Sequence, residues 1–201
     1  MTIAILPLRA LHDGKRRLAG VLSPGERTAL VQGMLLRVVR AVQTSKRIER
    51  VIVVSPDAEL LAWVQPMAVW PIQQPAGGLN AGLEYARSVV RAQAPRADLL
   101  VVLPDLPQLQ PLDIVGIVAA GTPGTVVVAP DRHQQGTNAL WLPPDAGLPF
   151  SFGPDSLRQH LLAAERLGLR VQQYHAPGSA FDLDTAEDLK LVRMPAGGSD
   201  T

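Results

Sequence analysis

A chain of 201 residues, 47% hydrophobic and 18% charged, is long enough for one domain with a buried core and too apolar for extended disorder. Its net charge of +1 gives no electrostatic basis for binding nucleic acid or an anionic membrane, and without cysteine it forms neither disulfides nor thiolate sites. Because no apolar run could span a membrane and no basic segment precedes the N-terminal apolar run, we expect no signal peptide and a cytoplasmic location.

Strand and helix patterns alternate along the chain. Short apolar runs predict strands at residues 3–6, 51–54, 68–72, 99–103, 125–129, 139–142 and 170–175. Helical spacing predicts helices that run to about residues 42, 64, 93, 120, 167 and 193. This alternation predicts a single-domain, Rossmann-like α/β fold over residues 1–194, with helices on both faces of a mostly parallel sheet. The small polar tail, residues 195–201, is predicted to be disordered.

Three local signals refine this architecture. Ser23, Pro24 and Glu26 form the pattern of a capping box with proline at the first helical position, which marks the start of the first helix. Pro71 cannot donate to a sheet ladder and places the third strand near an edge. Residues 125–142 hold two strands without a helix between them, which predicts an antiparallel excursion in the sheet.

A carboxylate follows the most apolar of these strands. Residues 99–103 predict a strand buried on both faces, and Asp105 comes directly after it between two prolines. In open α/β sheets, ligands bind beyond the carboxyl ends of the strands, so Asp105 is a candidate metal ligand. A turn aspartate with no ligand is the structural alternative.

Two further acids come late in the chain. Asp184 and Glu187 have the spacing of a helix N-cap and its third-position glutamate, which favours a structural role for Asp184. Asp182 lies two residues earlier, on the same side if the segment is extended. Together with Asp105 these carboxylates would suit Mg²⁺, which takes oxygen ligands and often bridges substrate phosphates.

Two loops carry candidate anion-binding features. Lys15 and Arg17 lie in a basic loop after the first strand and could hold the phosphates of a nucleotide, although a solvated basic run is the simpler interpretation. Residues 77–80, Gly-Gly-Leu-Asn, form a strand-to-helix turn whose glycines allow close approach of a ligand. Asn80 could contact a base edge or cap the helix.

A third group combines glycine amides with hydroxyls near the start of regular elements. Thr137 follows Gly136, and Ser156 follows Gly153 by three residues, so both stretches are candidate sites for a small anion. Ser156 could equally cap the next helix, and His160 lies one turn later on the same face. The remaining histidines lack metal-ligand spacing and are interpreted as surface or structural residues: His12, His133 and His175.

Taken together, these stretches resemble one family, the guanylyltransferases of deazaflavin coenzyme F-420 biosynthesis, whose fold is the nucleotidyltransferase fold of the nucleotide-diphospho-sugar transferase type. The resemblance covers residues 3–192, and its most specific pieces are residues 130–140, residues 152–160 and residues 182–189. Three departures from the family pattern concern local geometry. Arg9 stands where the family usually has lysine, Pro104 where it commonly has alanine, and Leu157 where it usually has phenylalanine.

The resemblance implies an activity and a set of site residues. The activity is transfer of GMP from GTP to the phosphate of a small three-carbon acid, with Mg²⁺ as cofactor and release of pyrophosphate. The implied metal ligands are Asp105 and Asp184, with Asp182 as an additional ligand. The remaining implied contacts are with the GTP phosphates (Lys15, Arg17), with guanine and ribose (Gly78, Asn80) and with the acceptor (Thr137, Gly153, Ser156), and the implied catalytic residues are Lys15, Arg17 and Asp105.

The acceptor is less closely defined. For a bacterial chain, phosphoenolpyruvate is the expected acceptor, giving enolpyruvoyl-2-diphospho-5'-guanosine, and 2-phospho-L-lactate and 3-phospho-D-glycerate are the competing acceptors. Two different functions also stay open: a nucleotidyltransferase acting on a sugar phosphate or molybdopterin, and an inactive nucleotide-binding regulatory domain. A free sheet edge would allow a homodimer.

Overall fold

A seven-stranded sheet forms the centre of the computed structural model, which describes residues 1–11, 14–75 and 77–193. The strands are β1 (Thr2–Pro7), β2 (Ile48–Ser55), β3 (Trp70–Gln73), β4 (Asp98–Val102), β5 (Thr125–Pro130), β6 (Thr137–Leu142) and β7 (Arg170–Gln173). The helices are α1 (Pro24–Thr44), α2 (Ala58–Val64), α3 (Leu79–Gln93), α4 (Pro111–Ala120), α5 (Ser156–Arg166), α6 (Pro177–Ala180) and α7 (Ala186–Arg193). Short 3-10 turns occupy Arg16–Leu18 and Gln65–Met67.

The order of strands in the sheet is β3-β2-β1-β4-β6-β5-β7. Strands β3, β2, β1 and β4 are parallel, and β7 is parallel to β5. Strand β6 runs antiparallel to both of its neighbours. The predicted α/β fold with a mostly parallel sheet is therefore confirmed, and so are the antiparallel excursion and the edge position of the strand that contains Pro71.

Helices cover both faces of the sheet, which is why β1, β5 and β6 are buried at every position. Successive strand residues point to opposite faces, so Ala4 and Leu6 pack in one core layer and Ile3 and Ile5 in the other. The first layer includes buried residues of α1, α2, α4 and α7, and the second includes those of α3 and α5. This double layer holds the carboxyl ends of β1 and β4 in fixed positions.

A local signal located the start of α1. The predicted capping box is present, with the Ser23 hydroxyl accepting from the backbone N–H of Glu26 and Pro24 as the first helical residue. Strand β4 ends at Val102, one residue earlier than predicted. Helix α6 is absent from the predicted elements, because four residues are too few to show helical periodicity.

Some expectations concern residues that the structure does not describe. His12 and the tail at residues 195–201 lie outside the described residues. Within the described ranges, no helix combines the length and apolarity needed to cross a membrane. Strand β3 forms one edge of the sheet, and a homodimer through a free edge stays a prediction.

His160 joins α5 to β6 and to the loop before α5. It is fully buried, its Nδ1 lies 3.0 Å from the hydroxyl oxygen of Thr137, and its Nε2 accepts a hydrogen bond from the backbone N–H of Ser151 at 3.1 Å. The ring of Phe152 packs against it edge-on, with 5.0 Å between the ring centroids. Burial lowers the pKa of His160 to about 4, because the imidazolium would lose its hydration.

This burial predicts a loss of stability in mild acid. The unfolded chain takes up a proton at the ordinary imidazole pKa of 6.5, whereas the folded chain resists protonation until about pH 4. We therefore expect His160 to lower the free energy of unfolding by about 2 kcal/mol between pH 7 and pH 5. Urea unfolding of the wild type and of His160→Asn at both pH values isolates this contribution. Equal pH dependence in the two proteins would contradict it.

Candidate active site

A cavity of about 770 Å³ opens at the edge of the sheet where β1 and β4 end. Its walls come from the segment after β1, residues 103–105 after β4, the turn before α3 and one face of α1. This is the edge at which open α/β sheets bind their ligands. Four of the predicted site residues line it: Lys15, Arg17, Asp105 and Asp184.

The Lys15 ammonium lies between two carboxylates in this cavity. Its Nζ donates to Asp105 at 2.6 Å and to Asp184 at 2.7 Å, and the side chain is only 10% exposed. Burial lowers the pKa of Lys15, but the charges and hydrogen bonds of the two aspartates outweigh burial, so the pKa lies above its usual value. Lys15 is therefore a charged ammonium at neutral pH.

The backbone directs Lys15 into the cavity. Lys15 has a left-handed conformation, with φ 54° and ψ 44°, directly before the 3-10 turn Arg16–Leu18. A residue with a Cβ pays roughly 1 kcal/mol or more in this region, which the two ion pairs offset. Leu18 anchors the turn because its side chain is fully buried and its N–H donates to the Lys15 carbonyl at 2.9 Å.

Arg17 extends the cationic side of the cavity toward solvent. Its side chain is 78% exposed, and one guanidinium nitrogen lies 3.8 Å from the Asp184 carboxylate. An ion pair this long and this exposed contributes little to stability. The guanidinium therefore lies on the solvent side of the cavity and does little to hold the fold.

Two of the three predicted metal ligands converge. Asp105 and Asp184 share the Lys15 ammonium, whereas within the described residues no group of three or more His, Asp or Glu side chains is arranged to hold an ion. Asp182 lies close enough for electrostatic coupling, since burial and then the charges of Asp105, Asp184 and Asp131 raise its pKa. The structure thus brings a pair of carboxylates together, with Asp182 beside them.

The donor set fits a hard cation. One oxygen of Asp105 and one of Asp182 are buried and have no hydrogen-bond partner among the described residues. An orphaned carboxylate oxygen is costly, and a cation would satisfy it. Proteins usually bind Mg²⁺ through one or two carboxylates together with waters and substrate phosphates, which matches the pair present here.

Asp184 is available to Lys15 because another residue caps the last helix. The expectation that Asp184 caps it with Glu187 is wrong. The Thr185 hydroxyl accepts from the backbone N–H of Asp188 at 3.2 Å, and the Asp188 carboxylate accepts from the N–H of Thr185 at 2.7 Å. The capping box therefore lies one residue later, and it leaves the carboxylate of Asp184 free to face the cavity.

Asp188 holds this segment in place. Its carboxylate also accepts from the backbone N–H of Asp184 at 2.9 Å and pairs with Arg132, whose guanidinium lies over the ring of Phe181. Burial would raise the pKa of Asp188, but the bonds from Arg132 and from the two N–H groups lower it to about 2. No local pattern predicts this role of Arg132 and Asp188, although both belong to the stretches that carry the family resemblance.

Gly77 in the turn before α3 and Leu79, the first residue of α3, line the cavity, whereas Gly78 and Asn80 are not among its walls. Gly77 has φ +95°, and a Cβ there would lie 2.7 Å from the Cβ of Ala81, so the turn requires glycine. The two adjacent glycines indicate this turn without showing which of them the cavity needs. Contacts of Gly78 and Asn80 with guanine and ribose stay predictions.

Asn80 does not cap α3. Helix α3 begins at Leu79 with Gly78 as its N-cap. The Asn80 side chain instead clamps one backbone residue of a distant loop, because its Oδ1 accepts from the Phe152 N–H at 2.8 Å and its Nδ2 donates to the Phe152 carbonyl at 3.0 Å. This clamp fixes the residue that precedes Gly153.

The residues proposed for the acceptor form a second group beside the cavity. The backbone N–H of Thr137 donates to the Ser156 hydroxyl at 2.8 Å, and the N–H of Ser156 donates to the Gly153 carbonyl at 3.2 Å. Ser156 is the first residue of α5 and not its cap. Thr137 begins β6 at the sheet edge where β4 ends, because the N–H of Leu103 donates to the Asn138 carbonyl at 2.9 Å.

Solved structures share this architecture at low sequence identity. A protein described as a nucleotide-diphospho-sugar transferase, from Desulfovibrio desulfuricans G20, aligns with a TM-score of 0.76 at 15% identity, covering 98% of this chain and 89% of that chain. A CMP:2-keto-3-deoxy-manno-octonic acid synthetase complexed with CTP aligns with a TM-score of 0.63 at 15% identity, covering 96% of each chain. These similarities establish the fold.

Sequence comparisons establish the family. A protein of Rubrobacter xylanophilus named phosphoenolpyruvate guanylyltransferase is 43% identical over 97% of this chain and 94% of its own length. A protein of the same name from Sphaerobacter thermophilus is 40% identical, over 98% and 96%. The family model described as guanylyl transferase CofC like matches residues 2–201. The chain therefore belongs to the CofC-like guanylyl transferases and is a nucleotidyltransferase.

Proposed function

We propose that this chain transfers GMP from GTP to phosphoenolpyruvate, with release of pyrophosphate and formation of enolpyruvoyl-2-diphospho-5'-guanosine for coenzyme F-420 biosynthesis. The observation that carries the proposal is the Lys15 ammonium held between Asp105 and Asp184, in a cavity at the ligand-binding edge of the sheet. The same activity is in the name of relatives that are 43% and 40% identical over nearly the whole chain.

The cavity has the charges that a nucleoside triphosphate needs. Lys15 and Arg17 would contact the GTP phosphates, and their positive charges would stabilise the charge that develops on the departing pyrophosphate. The start of α3 would lie beside the nucleoside, with Gly78 and Asn80 near guanine and ribose. Gly77 and Leu79, the neighbours of Gly78 on either side, line the cavity and support this placement.

We assign Asp105 and Asp184 as the protein ligands of Mg²⁺, with Asp182 as an additional ligand. The orphaned oxygens of Asp105 and Asp182 support the assignment, since each lacks a partner among the described residues. When bound, Mg²⁺ supplies neutralisation of charge on the GTP phosphates. The protein's part is to hold the carboxylates and Lys15 at fixed positions around them.

The acceptor needs no general base. An oxygen of its phosphate dianion forms a bond to the α-phosphorus of GTP, the bond to the β-phosphate oxygen breaks, and pyrophosphate leaves with that electron pair. His160, whose pKa is about 4, is a weak base, which agrees with a reaction that removes no proton. Thr137, Gly153 and Ser156 would hold the phosphate and carboxylate of the acceptor so that its oxygen approaches in line.

The choice of acceptor can be tested directly. Wild-type protein with GTP and Mg²⁺ should release pyrophosphate at least about tenfold faster with phosphoenolpyruvate than with 2-phospho-L-lactate or 3-phospho-D-glycerate, because relatives 43% and 40% identical to this chain are named for phosphoenolpyruvate. The measurement is pyrophosphate release with each acid, and a reaction without acceptor is the control. Faster release with another acid would change the acceptor, and release with none of them would refute the proposal.

The role of Asp105 can be tested by Asp105→Asn. This variant keeps the size of the side chain and removes the charge that holds the cation, so we expect kcat to fall at least about a hundredfold. Asp145→Asn is the matched control, since Asp145 is exposed and lies outside the cavity walls. Thermal unfolding of both variants checks that they are folded. A kcat in Asp105→Asn equal to that of the control would exclude the assignment.

A further inference from the structure

Hydrogen bonds around His160 determine which of its ring nitrogens carries the proton. The backbone N–H of Ser151 donates to Nε2 at 3.1 Å. A backbone N–H can only donate, so Nε2 carries no hydrogen, and the neutral ring must carry its proton on Nδ1. His160 is fully buried, which keeps the ring neutral.

The direction of the next hydrogen bond follows from this tautomer. Nδ1 lies 3.0 Å from the Thr137 hydroxyl oxygen, so Nδ1–H donates and the hydroxyl accepts. The Ser156 hydroxyl likewise accepts from the backbone N–H of Thr137 at 2.8 Å. Each hydroxyl oxygen therefore accepts a hydrogen bond from the protein, and each hydroxyl hydrogen remains available to donate to another partner.

Neither hydrogen has an acceptor among the described residues. Thr137 is 1% exposed and Ser156 is 2% exposed, so bulk water does not solvate them freely. A buried hydroxyl without an acceptor costs free energy that a ligand with lone pairs would recover. The structure thus places two adjacent donors that lack partners in one nearly buried position.

That position lies at the sheet edge that carries the cavity. Thr137 begins β6 at the same sheet edge as Asp105, since the N–H of Leu103 bonds to the Asn138 carbonyl. Gly153 is exposed there with φ +132°, and Asn80 clamps the residue before it. A backbone N–H of an exposed glycine would add a third donor to the two hydroxyls.

We propose that His160 is a positioning residue of the acceptor subsite. Its Nδ1–H donates to the Thr137 hydroxyl oxygen, so that the hydroxyl hydrogen points away from His160. That hydrogen, together with the Ser156 hydroxyl, donates to the carboxylate or phosphate of a small phosphorylated acid. This inference rests on the proposed guanylyl transfer, and it explains why a histidine with no metal or base role is buried beside the acceptor residues. Burial lowers the pKa of His160 to about 4, so the tautomer persists at neutral pH.

Two substitutions of His160 test the roles of Nδ1 and Nε2 separately. In His160→Asn the side-chain amide nitrogen takes the place of Nδ1 and can still donate to Thr137. In His160→Gln the amide oxygen takes the place of Nε2 and can still accept from Ser151, but the donor to Thr137 is lost. We expect the KM for phosphoenolpyruvate to rise about tenfold or more in His160→Gln and to stay within about threefold of wild type in His160→Asn.

The KM for GTP serves as the internal readout. Because Thr137 contacts the acceptor and not the nucleotide, the KM for GTP should stay within about twofold of wild type in both variants. A purely structural role of His160 would instead raise both KM values together, and the variant that loses more stability would show the larger rise. If His160→Gln does not fold, His160→Asn still decides, because a tenfold rise in its acceptor KM would overturn the inference.

A double-mutant cycle tests whether His160 acts through Thr137. Thr137→Val removes the hydroxyl at nearly constant shape, so adding His160→Gln to it should change the acceptor KM by no more than about twofold. Independent, multiplicative effects would overturn the inference. The underlying proposal is tested separately: a wild type that transfers GMP to none of the three acids refutes both, whereas active wild type with an unchanged acceptor KM in His160→Gln refutes only the role of His160.

Discussion

One ammonium shared by two carboxylates organises the candidate site. Lys15 belongs to the loop after β1, Asp105 lies 90 positions further along the chain, and Asp184 lies 169 positions further. Two carboxylates this close repel each other, and a buried ammonium without partners would tend to lose its proton, so each charge depends on the others. The site therefore forms only when the first and last parts of the chain dock against the same edge of the sheet.

Residues that do not line the cavity hold Asp184 and the predicted acceptor residues in position. The Asp188 carboxylate holds the backbone of Asp184 and is itself paired with Arg132. Asn80 clamps the Phe152 backbone, and His160 bonds to both Thr137 and the Ser151 N–H. Functional sites need such supporting contacts because small displacements of a reacting group are costly in rate. Arg132, His160 and Asp188 belong to the family-specific stretches of the sequence, as does Asp184, which lines the cavity.

Features that depend on a few neighbouring residues could be predicted. The Ser23–Glu26 capping box and the edge position of Pro71 follow from local hydrogen bonding and are confirmed. The predicted cap of the last helix is wrong because the same short stretch allows two capping boxes, one starting at Asp184 and one at Thr185. The second is the one observed, and Arg132 pairs with its Asp188 in a contact across 56 positions that no local pattern contains.

The sequence by itself determined the order of strands and helices, because apolar periodicity and chain-breaking residues act over short distances. It also placed Asp105 and the basic loop after strands, and so at the binding edge of a parallel sheet. Only the tertiary structure decided that Asp105 and Asp184 share the Lys15 ammonium, that Gly77 and not Gly78 lines the cavity, and that His160 carries its proton on Nδ1. These outcomes depend on contacts between residues far apart in the chain, which become neighbours only when the sheet is assembled.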